Sequence, residues 1–167
     1  MFTNYRVHKF KPNVSPLCSF CCHQENLPRF ELVSHLFYDC DYVNNMWLNI
    51  KTWLASLNTI LPLQRSILLF GIHSEQYNSV LNYIILCAKS FIWKAKFSTK
   101  DLSFTEFQKY LYAKLLNLKN ALLLMGKEYQ FQRWINIYES LTGCIEAILP
   151  DREEELLPTA PVQQAEE

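Results

Sequence analysis

Cys18-Ser19-Phe20-Cys21-Cys22, followed by His35-Leu36-Phe37-Tyr38-Asp39-Cys40, decides how the rest of the chain is read. The soft ligands fall as Cys-x2-Cys-x13-His-x4-Cys, the spacing of a small closed zinc site. Two cysteines at x2 let both thiolates face one ion while the amides between them turn toward the sulfurs. Adjacent residues point apart, so Cys21 and Cys22 compete for one place, and Cys21 is preferred because x2 is the commoner spacing. His23 is a second rival. The bland alternative makes Cys18, Cys21 and Cys40 buried thiols and His35 a hydrogen-bonded helix residue. Against it, the stretch from Pro12 to Cys40 has too little apolar content to pack alone, so a metal would supply ordering free energy. Cys18, Cys21, His35 and Cys40 would leave no open coordination position, which marks a structural rather than a catalytic zinc.

Upstream lies a basic lead-in, residues 1–17, carrying Arg6, His8, Lys9 and Lys11. Pro12 and Pro16 give it an extended reading. It has no apolar h-region, so no secretory signal is expected, and the cysteines read as thiols or ligands rather than a disulfide framework. The expected location is intracellular, nucleus or cytoplasm. Cys87 and Cys144 stand singly in apolar helical patterns as small hydrophobes.

Downstream the signal is helical. Val43, Met46, Trp47, Ile50, Trp53, Leu54 and Leu57 form one stripe, capped by Asp39 or Asp41. Ile67-Leu68-Leu69-Phe70 before Gly71 reads equally as a helical turn or a strand. A second helix spans about Glu75 to Phe97. A third opens at Ser103-Phe104-Thr105-Glu106, which fits a capping box, and carries Phe107, Leu111, Leu115, Leu118, Leu122 and Met125. Gly126 breaks it. A final helix carries Phe131, Trp134, Ile135, Tyr138, Leu141, Ile145 and Ile148, and ends by Pro150. The expected fold is mostly α: an N-terminal Cys/His zinc knuckle followed by a bundle of about four to five helices. Its divisions are the lead-in, the knuckle with its following helix (18–57), a helical domain (58–149) and a disordered acidic tail (150–167).

Half the residues are hydrophobic, enough for a sizeable core. No apolar run approaches the ~20 residues of a membrane span, so no membrane partner is expected. The balanced net charge hides a split. Lys89 to Arg133 holds nine basic residues against three acids, whereas Glu146 onward holds seven acids against Arg152. The basic middle permits phosphate contact, although lysines on helix exteriors are usually a solvated face. Arg6, Lys9, Lys11, Phe20, Lys94 and Lys96 are the candidate nucleic-acid contacts. Phe20 and Tyr38 read either as platforms on which bases stack or as packing of the knuckle against its helix, while Phe37 reads as core. No Gly-rich phosphate loop, Gly-x-Ser-x-Gly or His-Glu-x-x-His occurs, so no enzyme and no small-molecule substrate are expected.

Pro16-Leu17-Cys18-Ser19-Phe20-Cys21, then His35-Leu36-Phe37-Tyr38-Asp39-Cys40 and Trp47, resembles the zinc-binding region C-terminal to the polymerase of LINE-type (non-LTR) retrotransposon reverse transcriptases. The lead-in Thr3 to Phe10, Ile67 to Gly71, Ala88 to Trp93 and Trp134 are also similar, so the resemblance covers about residues 3–138. Two features depart from that pattern: a longer spacer before His35, and Asp41 where proline is common. Tyr/Phe-x-Asp-Asp and an endonuclease segment are absent, so only the zinc ligands transfer. The resemblance implies a non-catalytic module that assists RNA or DNA engagement, with the polymerase portion of a retroelement as a partner. The alternatives are a helical protein-interaction scaffold whose zinc is purely structural, and an inert retroelement remnant.

Overall fold

The computed structural model describes residues 3–22, 29–73, 78–98 and 102–148. It is mostly helical, with a Cys/His cluster near the N-terminus. The elements are α1 (Asn4–His8), a π-helical turn (His35–Asp39), α2 (Asp41–Ser56), α3 (Arg65–Phe70), α4 (Asn78–Ala95), α5 (Phe104–Leu124), a 3₁₀ segment (Glu128–Trp134) and α6 (Ile135–Ile148). Among the described residues the only extended pairing is a single antiparallel bridge, Leu17 to Phe30. No described helix is long and apolar enough to cross a membrane. His23 and the acidic tail lie outside the described residues.

One hydrophobic cluster runs from Cys18 to Leu141, so the knuckle and the helices share a core. The α2 stripe is buried from Val43 to Leu54, with Leu57 partly so. Ile84, Ile85, Ala88 and Ile92 of α4, and Phe107, Leu111 and Leu115 of α5, are buried in the same cluster. Trp53 ties α2 to α6 by donating its indole N–H to Ser140 Oγ at 3.1 Å. Trp134 of the 3₁₀ segment packs edge-on against Tyr83 of α4, with ring centroids 5.0 Å apart.

Several local expectations are corrected. The lead-in is not wholly extended: Asn4–His8 forms a helical turn, because its prolines lie beyond it and Asn4 is anchored to the knuckle. The N-cap of α2 is Cys40. Asp41 is instead a first-turn acid, while Asp39 pairs with Arg65 at 3.2 Å. Ser103 is the N-cap of α5, but its side chain makes no capping hydrogen bond, and Glu106 pairs with Lys109 one turn on. Met125, the last residue of that stripe, is the C-cap and stands 58% exposed, because α5 ends at Leu124. The break at Gly126, φ +64°, leads into 3₁₀ geometry before α6, not directly into an α-helix.

The ambiguous run at 67–70 is helical and stops where the backbone needs glycine. Gly71 has φ 89° and ψ 178°, a region essentially restricted to glycine. An added Cβ would also lie 3.0 Å from Asn82 Oδ1. That oxygen accepts the Ile72 N–H at 2.7 Å, and Asn82 Nδ2 donates to the Ile72 carbonyl at 3.0 Å, which fastens the α3 exit to α4. Gly71→Ala is expected to lower stability by about 1–3 kcal/mol. An unchanged urea midpoint would contradict this account.

Candidate metal centre

Two short elements bring the four ligands together. The first is a paired loop: Cys18 N–H donates to the Arg29 carbonyl and Glu31 N–H to the Pro16 carbonyl, each at 2.9 Å. Cys18 and Cys21 sit on its turn. The second is the π-helical turn, closed by Cys40 N–H donating to the His35 carbonyl at 3.0 Å. On an α-helix, partners three or four apart share a face and those five apart do not. A His-x4-Cys spacing therefore needs the widened turn if both side chains are to serve one site. Inside that turn the Phe37 carbonyl accepts the buried Trp47 indole N–H at 2.8 Å, so the tryptophan of α2 braces the ligand-bearing backbone.

The resulting cluster is compact and dry. Cys18 Sγ lies 3.9 Å from Cys40 Sγ, and Cys21 Sγ lies 3.3 Å from His35 Nε2. All four ligand atoms fall within 4.8 Å of one another. None of the four residues is more than 5% exposed. Thiolates bound at ~2.3 Å to a tetrahedral ion stand about 3.8 Å apart, and a thiolate and an imidazole nitrogen about 3.6 Å. The separations thus fit an ion at the centre of the four.

The electrostatics agree with such an ion. The hydrogen bond shared with Cys40 draws the Cys18 thiol down to about 5, against the upward push of burial. Burial pushes Cys21 up to about 11, and the contact with Cys18 pushes Cys40 up as well. Three thiols this close do not all ionise unless a cation sits between them. The group Cys18, Cys21, His35 and Cys40 can therefore hold a metal ion. Cys22 takes no part: its Sγ turns to the Ser19 carbonyl, 3.9 Å away.

A carboxylate that the sequence reading passed over holds the site to the rest of the molecule. Glu31 is fully buried. Its Oε1 accepts the Asn4 N–H at 2.8 Å, and its Oε2 accepts the Ser19 N–H at 3.1 Å and the Ser19 hydroxyl at 2.9 Å. Lys96, whose side chain is 3% exposed, donates its ammonium to the same carboxylate and lies 4.7 Å from the Trp93 ring centroid. The one signal for Glu31 was an acid set between Phe30 and the apolar pair Leu32-Val33.

The candidate nucleic-acid contacts separate into groups. Arg6, Lys9 and Lys11 are exposed on and just after α1. Lys94 is exposed on α4, its ammonium 5.0 Å from the Tyr110 ring centroid. Lys96 is corrected: its charge is buried against Glu31 and does not face an external phosphate. Phe20 and Tyr38 are partly buried against the core.

No protein-family model matches the chain, and no curated protein matches it.

Proposed function

We propose that this chain is a non-catalytic, zinc-stapled helical module that assists RNA or DNA engagement, as its resemblance to the zinc-binding region of LINE-type reverse transcriptases implies. The observation that carries the reading is the closed, buried Cys3His donor set. Three thiolates and an imidazole suit zinc, whereas carboxylate and water ligands would suit magnesium or calcium. A site with no room for water or substrate serves folding rather than turnover. The exposed cations of α1 lie next to this clip and support contact with phosphate.

Purified protein is expected to carry about one equivalent of zinc, and less than about half an equivalent would sink the metal assignment. Affinity for an oligonucleotide is expected to fall steeply with salt, because each neutralised phosphate releases a counterion. Undetectable or salt-insensitive binding would remove the nucleic-acid half.

A second reading has its own support. Leu123, Leu124, Met125 and Tyr129 are exposed together at the end of α5, with Leu124 at 88%, and such apolar surface suits a protein partner. Under that reading Lys94→Ala leaves partner binding unchanged.

A further inference from the structure

Beside the metal clip, α1 and the segment Phe30–Val33 enclose a cleft of about 300 Å³, at the small end of ligand clefts. Its walls include Tyr5, Arg6, Lys9, Phe10, Leu32 and Val33. Three of these are large apolar side chains standing in water: Phe10 is 75% exposed, Val33 51% and Leu32 46%. The Lys9 ammonium lies 4.9 Å from the Tyr5 ring centroid, and Tyr5 in turn packs against Phe30 at 5.4 Å. Among the described lining residues Lys9 supplies an exposed positive charge and none is a carboxylate.

Both walls are fixed. Asn4 anchors α1 through its N–H to Glu31 and through its side-chain amide to the Leu17 carbonyl at 3.0 Å and Ser19 Oγ at 3.1 Å. The facing wall is held by Glu31 N–H to Pro16 and by Leu36 N–H to Leu32, each at 2.9 Å. The cleft is therefore preformed, and its shape depends on the metal-bearing loop.

We infer that this cleft takes one unpaired nucleotide of a single strand, with its base against Phe10, Tyr5 and the Leu32–Val33 wall and its phosphate on Lys9. The inference rests on the nucleic-acid reading above and adds the place and the kind of contact. Charge complementarity selects an anion, and the flat apolar walls select an anion that carries a π-face. A duplex stacks its bases away from such walls, so the cleft distinguishes single from double strands.

The test uses the full zinc-loaded chain and fluorescence anisotropy with labelled single-stranded RNA, single-stranded DNA, duplex and an abasic strand. Single strands are expected to bind more tightly than the duplex or the abasic strand, and the RNA and DNA arms show which sugar is preferred. Phe10→Ala is expected to weaken single-strand affinity at least about fivefold, the scale of one lost base stack. Lys9→Gln is expected to shallow the salt dependence by about one contact, whereas Lys51→Gln on the exposed face of α2 leaves it unchanged. Zinc content and melting temperature are measured on each variant to confirm that it is folded. Wild-type-like binding by Phe10→Ala and Lys9→Gln, with Lys94→Gln alone weakened, overturns the cleft and leaves the nucleic-acid reading standing. Equal affinity for the abasic strand, or equal displacement by polyglutamate, also overturns it. Failure of the unaltered chain to bind any strand overturns both.

Discussion

Cys40→Ser is expected to abolish metal uptake and to unfold the N-terminal part of the chain. Serine preserves the volume and the extended N-cap backbone of this residue, so packing is nearly retained and the loss isolates the thiolate. Cys40 is fully buried, and it ends the ligand turn and starts α2 at once. Structural zinc supplies about 10–16 kcal/mol of apparent binding free energy at neutral pH, comparable with the whole ~5–15 kcal/mol stability of a domain. A knuckle without its ion therefore loses the largest single contribution that would hold three thiols and an imidazole together. Limited proteolysis should cut the variant at Phe37 and Tyr38 and leave those two positions of the unaltered protein intact. Cys22→Ser, whose sulfur faces the Ser19 carbonyl, should keep its zinc and its protease resistance. A Cys40→Ser protein with full zinc content would show that the ligand set is wrong.

Glu31→Gln is expected to cost about 3–5 kcal/mol, the penalty for leaving a buried charge without its partner. The amide keeps one accepting oxygen. It also turns a donor toward either the Lys96 ammonium or the Ser19 N–H, both of which need an acceptor. Lys96→Met alone should be damaging for the mirror reason, because it strands the carboxylate. The pair Glu31→Gln with Lys96→Met should be milder than the sum of the two, since neither change then leaves an opposed charge. Urea unfolding of the four proteins closes the cycle. Additive losses would mean that the ion pair contributes no coupling.

How much of this was legible beforehand depends on the range of each interaction. The helix stripes of α2, α4 and α5 were readable because periodicity is a property of neighbouring residues. The four ligands were readable for the same reason, since the chemistry of Cys and His and a 23-residue window suffice. Caps were less so. Asp39 and Asp41 both looked like caps for α2, but Asp39 is drawn off by Arg65, 26 residues away, and the ligand Cys40 occupies the capping position. The capping box at Ser103 had the right residues, but the Ser103 side chain makes no capping hydrogen bond, and Glu106 pairs with Lys109. Lys96 misled most. A lysine in the last turns of a basic helix looks the same in sequence whether it meets solvent or a carboxylate delivered from position 31.

The separation between those two charges sets an order of events during synthesis. Every ligand lies between Cys18 and Cys40, so the ion can be captured once that stretch leaves the ribosome. The counter-charge of Glu31 arrives only with Lys96, which is roughly three to eleven seconds later at ordinary elongation rates. During that interval the carboxylate has Asn4, Ser19 and solvent water as hydrogen-bond donors in place of the ammonium. A nascent chain that takes up an ion at this cluster would therefore close the loop first, and the Glu31–Lys96 pair would tie it to the end of α4 second.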